Sequence, residues 1–189
     1  MPTDVPDQPV FYYDLGSPQC YLVAETIMTA LPVVPEWEPV LASQIASGGL
    51  EPADRAAIER RAAELGLQPM RWPTRASPNT ERAMLAATYA KRIGRAVAFS
   101  LAAFRQAFAG GRDLTDENTI LIAGAACEMH PTALGKGIEL ASTRAALEEA
   151  VSRARSAGVT ELPAIQVGNR AFTGENAIDE AWAALRQSR

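Results

Sequence analysis

The chain has 189 residues, with 18 Lys plus Arg, 22 Asp plus Glu, a formal net charge of −4, 2 Cys and 1 His. That length suits one core, and so few cysteines and histidines exclude a disulfide scaffold and the common zinc ligand sets, so no metal is expected. The mildly acidic balance speaks against polyanionic partners, so neither nucleic acid nor a membrane surface is expected to bind.

Residues 1–9 lack the basic flank and apolar run of a signal peptide, which predicts a cytoplasmic protein with reduced cysteines. Residues 9–14 (PVFYYD) form an aromatic and β-branched run closed by Gly-Ser-Pro, a buried-strand pattern. Ser17-Pro18 is a helix start, a capping hydroxyl followed by a first-turn proline, and the stripe Cys20, Ala24, Ile27 and Leu31 carries that helix onward. Residues 36–41 predict a second strand, with Pro39 near an edge or a strand end. Residues 43–49 are small and polar and read as a loop. Helices are expected over 52–65, 79–93, 96–108, 116–129 and 142–157, with a proline-rich connector over 68–78. Most of the 36 alanines fall in this stretch, where the residue loses no side-chain entropy in a helix. Residues 163–167 and 170–173 predict two strands about a Gly168-Asn169 turn. Residues 176–186 predict a last helix with Ile178, Ala181, Trp182 and Leu185 toward the core. The order is β-α-β, about five helices, then β-β-α. It predicts an α/β chain with a thioredoxin fold over residues 9–41 and 158–187 and an all-helical subdomain inserted over 42–157.

Two segments carry chemistry. Asp14-Leu15-Gly16-Ser17-Pro18-Gln19-Cys20 lies at the first strand-to-helix junction. Free N–H groups and the dipole at a helix N-terminus favour negative charge, so a thiolate placed there is stabilised. Ser17 forms no disulfide; its hydroxyl either caps the helix or donates to the thiolate of a bound small thiol. Cys20 lies almost a turn deeper, as a small core hydrophobe or a redox group. Leu162-Pro163 opens the third strand, as an ordinary edge start or as a cis-proline that frees the Leu162 backbone for an extended ligand. Cys127 aligns with Ile120 and Ala123 and is expected in the core, and His130, before Pro131, suits a surface or capping role.

Together these segments resemble the DsbA family of thioredoxin-fold proteins. Ser17-Pro18-Gln19-Cys20 is similar to that family's Cys-Pro-X-Cys motif with Ser in the first slot, and Leu162-Pro163 to its cis-proline loop. The closer resemblance is to the branch of 2-hydroxychromene-2-carboxylate isomerases and kappa-class glutathione transferases. It is carried by Ser17 to Leu22, by Trp37-Glu38-Pro39-Val40-Leu41, by Trp72-Pro73 with Asn79-Thr80-Glu81-Arg82-Ala83, and by Phe172-Thr173-Gly174-Glu175-Asn176.

The resemblance implies a cofactor, glutathione or another low-molecular-weight thiol. Ser17 and Cys20 would hold the catalytic position. Pro18, Leu162 and Pro163 would meet the cofactor's cysteinyl backbone, and Glu175 and Asn176 its γ-glutamyl end. Trp72 is a candidate for the substrate pocket, or a core or rim residue. That branch carries an Asp in the final turn and a Lys and an Asn after the second strand. This chain has Glu175 and Asn176, then Ser43, Gln44 and Ser47, in those places. The implied function is transferase or isomerase chemistry on an apolar electrophile, with a small-molecule substrate. The alternatives are thiol–disulfide exchange through Cys20 and non-enzymatic binding of a ligand or peptide. A homodimer is compatible with the resemblance.

Overall fold

Phe11, Trp37, Ile165 and Phe172 form one row across the sheet, and the chain order around them fixes the architecture. The computed structural model describes residues 8–45, 54–74, 79–174 and 176–187. Strands β1 (Val10–Tyr13) and β2 (Glu36–Pro39) are parallel, joined by helix α1 (Pro18–Ala30). Strands β3 (Ala164–Val167) and β4 (Arg170–Thr173) form an antiparallel hairpin, followed by α9 (Ala177–Gln187). β3 runs antiparallel to β1, which gives the order β2-β1-β3-β4. A β-α-β half and a β-β-α half sharing one sheet make the thioredoxin fold.

Between the halves lie α2 (Ala42–Ile45), α3 (Arg55–Glu64), α4 (Glu81–Arg92), α5 (Ala96–Phe108), α6 (Glu117–Ala126), α7 (Pro131–Glu139) and α8 (Ala141–Ser156). Two were not foreseen. α2 is a single turn where a loop was expected, and the rest of that loop, with Ser47, lies outside the described residues. α7 contains Gly135 and Gly137, which weaken helix propensity. Gly137 is there because α7 crosses α4 closely: a Cβ at that position would overlap the ring of Tyr89. His130 caps α7, its Nδ1 accepting from Thr132 N at 3.2 Å. None of the described helices is long and apolar enough to cross a membrane.

Paired residues share a sheet face, so the two faces differ sharply. On one, Phe11 meets Trp37 edge-on at 5.1 Å and stacks on Tyr13 at 5.2 Å. On the other, Tyr12 Oη donates to Gln166 Oε1 at 2.8 Å, and buried Glu38 accepts from Lys91 at 2.7 Å and Arg153 at 2.9 Å. A carboxylate is tolerated at that depth because two cations neutralise it. On α9, Ala177, Ala181 and Leu185 face the core. Trp182 does not: it is 39% exposed and lies under the Arg186 guanidinium. α9 packs against β3 and β4 with the alanines buried, and the larger indole stays at the surface.

Candidate functional site

The junction of β1 and α1 is built around buried Asp14. Its carboxylate accepts from Gly16 N at 2.8 Å, Ala42 N at 2.9 Å and Thr80 Oγ1 at 3.0 Å. Burial pushes this carboxyl above its ordinary range, and the three donors oppose that shift. They tie the turn before α1 to the segment after β2 and to the start of α4.

Ser17 is the N-cap of α1, with an extended backbone; its Oγ accepts from Cys20 N at 3.1 Å and donates to Gln19 Oε1 at 3.3 Å. Pro18 follows at the first helical position, where its missing N–H costs no hydrogen bond. Both side chains are buried, Ser17 to 1% exposure. Cys20 lies beneath them at 0% exposure, and burial pushes its thiol up to about 12 against the pull of Ser17. Cys127 is likewise buried and unpaired, its thiol directed to the carbonyls of Ala123 and Gly124.

The Leu162–Pro163 peptide is cis. Pro163 is buried, and its carbonyl accepts from Gly174 N at 3.2 Å, which joins the start of β3 to the turn before α9. Among the described residues, none of the turn, loop or cap hydrogen bonds uses the Leu162 backbone. Gly174 has φ +78°, a left-handed conformation that glycine adopts without strain. Glu175 lies outside the described residues; Asn176 is exposed.

These parts meet at one groove of about 470 Å³. Its floor is the outward face of α1, with Gln19, Leu22, Val23 and Thr26. One wall is α3, with Ile58, Arg60, Arg61 and Leu65 from its end. The other wall carries Pro163, Gly174, Asn176, Ile178 and Asp179. Of the residues singled out in the sequence, Pro163 and Asn176 line this groove together with Gln19 of the first turn of α1, whereas Pro18 and Leu162 are not among its lining residues. Ser17 and Cys20 lie under that turn, off the groove surface. Trp72 lies elsewhere: half-buried, its Nε1 donates to Glu59 at 2.7 Å, and its ring meets Arg55 at 5.0 Å and Phe108 at 6.3 Å. Asp14, Arg60, Arg61 and Asp179 were missed. Arg60 and Arg61 read as a solvated helix face, and only the placement of α3 beside α1 turns that face into a wall. Among the described residues, no group of three His, Cys, Asp or Glu side chains could hold a metal ion.

The family model for the DSBA-like thioredoxin domain matches residues 10–186. The chain belongs to that family. No curated protein matches the sequence. A solved 2-hydroxychromene-2-carboxylate isomerase superposes with TM-score 0.81 at 16% identity, covering 95% of this chain and 94% of that one. A probable DsbA oxidoreductase from Streptomyces coelicolor gives 0.79 at 18% identity, covering 96% and 89%. The cytosolic disulfide reductase DsbM from Pseudomonas aeruginosa, determined with GSH, gives 0.66 at 14% identity, covering 95% and 98%. These likenesses establish the fold.

Proposed function

We propose that this DsbA-like protein binds a glutathione-type small thiol in the α1 groove and uses it in transferase or isomerase chemistry on an apolar electrophile. The carrying observation is that Gln19, Pro163, Gly174 and Asn176 converge on one groove from three separate parts of the chain. The ligand's backbone would lie along Pro163 and the free Leu162 backbone, with its thiol toward the N-terminal turn of α1. There the helix dipole favours the thiolate. Ser17 contributes by rotation of its O–H. Because Ser17 is buried beneath the groove, Gln19 must swing aside for the Ser17 proton to turn toward the ligand sulfur, while the Ser17 oxygen keeps capping Cys20 N.

An isomerase and a GSH-containing reductase among the structures of like fold support this reading. The cytosolic reductase also supports a place in the cytoplasm. Disulfide exchange through Cys20 itself would need an accessible thiolate, and this thiol is buried and held protonated.

Calorimetric titration with glutathione and other small thiols tests the proposal. Binding that weakens in Ser17→Ala, with the fold intact by circular dichroism, is the expected result. No binding by any thiol would remove it. Binding indifferent to Ser17 and without turnover would mean a passive ligand carrier. Activity in an insulin-reduction assay that vanishes in Cys20→Ser would restore the exchange reading.

A further inference from the structure

The segment before β3 is fastened on both sides of one residue. After Leu162, the Pro163 carbonyl accepts from Gly174 N at 3.2 Å. Before it, the Glu161 carboxylate accepts from Thr173 Oγ1 at 2.8 Å. The same carboxylate lies against Gly174, its Oε1 3.5 Å from where a Cβ on that glycine would stand. Thr173 is the last residue of β4 and pairs in register with Ala164, so Glu161 adds a side-chain tie at the end of the β3-β4 ladder. The Leu162 side chain packs against the core. Leu162 is thus held by its side chain and by both chain neighbours, while its own backbone makes no turn, loop or cap hydrogen bond among the described residues. Pro163 and Gly174 line the groove; Glu161 and Thr173 stand behind them and do not. A binding surface held still before its ligand arrives loses less freedom when the ligand binds.

We infer that Glu161 is a positioning residue: through Thr173 it holds the Pro163–Gly174 wall of the groove, and the Leu162 backbone beside it, in place for an extended, peptide-like ligand. This rests on the proposed thiol site and adds to it a residue that touches neither the ligand nor the reacting sulfur. The part Glu161 plays is that of an oxygen acceptor, not of a charge. Glutamine offers a carbonyl oxygen at the same reach and takes its place. Alanine leaves Thr173 Oγ1 to water and the segment tied through Pro163 alone. Thr173→Val, of nearly the same shape, removes the donor from the other end of the contact.

The test titrates the full chain with glutathione by calorimetry and follows the Gly174 amide by hydrogen exchange. One hydrogen bond near the surface is at stake, so Glu161→Ala and Thr173→Val should each weaken glutathione binding roughly threefold. The double variant should bind no more weakly than either single one, because both remove the same contact. Glu161→Gln should keep most of the affinity. Exchange of the Gly174 N–H should quicken in the alanine and valine variants and stay slow in the glutamine variant. Melting temperatures should hardly move, since Glu161 is exposed and Thr173 half-buried. Unchanged glutathione affinity in Glu161→Ala, whatever the exchange rate at Gly174, would overturn the inference and leave the thiol site standing. So would a loss in Glu161→Gln equal to that in Glu161→Ala, or losses that add in the double variant. No glutathione binding by the unaltered chain would remove the inference; the thiol site falls with it only when the other small thiols fail as well.

Discussion

The two faces of α1 divide the labour at this site. The inward face carries Cys20, Ala24 and Ile27, all at 0–1% exposure. The outward face carries Gln19 and Thr26, half-buried, and makes the floor of the groove. The inward face holds the most recognisable residue of the motif and is chemically closed. The outward face holds residues of no obvious chemistry and is the part a ligand can reach. In this chain the motif is a buried structural anchor, and under the proposed function the reactive sulfur is the one that binds beside it.

The sharpest way to break that contrast is to label Cys20. Burial raises its pKa from 9.0 to about 12, so at pH 8 the native protein should hold roughly a thousandfold less Cys20 thiolate than the unfolded chain. A disulfide reagent should leave Cys20 unmodified until denaturant is added, as mass spectrometry would show; rapid native labelling of Cys20 would mean the inward face is open. Since the folded pKa lies above the unfolded one, this thiol's contribution to stability is fully present below pH 9. It should be lost as the pH climbs toward 12, visible as a falling urea midpoint.

Ile27→Ala should cost about 3 kcal/mol in urea unfolding, the usual loss for emptying a fully buried aliphatic site. Asp14→Ala leaves two backbone N–H groups and the Thr80 hydroxyl without their acceptor and should cost about 2 kcal/mol, with Asp14→Asn recovering part of it. Ser17→Ala removes a cap and should cost about 1 kcal/mol. Thr26→Ala, one residue from Ile27 but on the groove face, should stay within about 0.5 kcal/mol. A Thr26 effect as large as that of Ile27 would erase the distinction between the two faces.

How much of this could be read from residues alone varies with the range of the interactions involved. The strand at Phe11 to Tyr13 and the Ser17-Pro18 helix start were legible because alternation, capping and proline geometry act within a few residues. α7 was illegible because Gly137 answers to Tyr89 on another helix, and its two glycines leave no local helix signal between the elements on either side. The outward turn of Trp182 was hidden for a related reason: periodicity marks a stripe, but the neighbouring β3 decides where the stripe ends. At the candidate site, Pro163 and Asn176, which line the groove, lie in segments whose motifs are legible in the sequence. Asp14 carried no signal, since an acid at a strand end is commonly exposed. Arg60 and Asp179 have the pattern of any solvated face, and only the packing of α3 and α9, distant in sequence, against α1 brings both to one groove.

The three donors to Asp14 lie 2, 28 and 66 residues along the chain. Their loops therefore close in an order set by length, the shortest first. A fragment ending before Thr80 would contain the whole β1-α1-β2 unit and still leave this acid one donor short. The segment that looks self-contained in the sequence is thus completed by its own insertion. During synthesis its first corner waits for a hydroxyl that emerges from the ribosome long after the strand it serves.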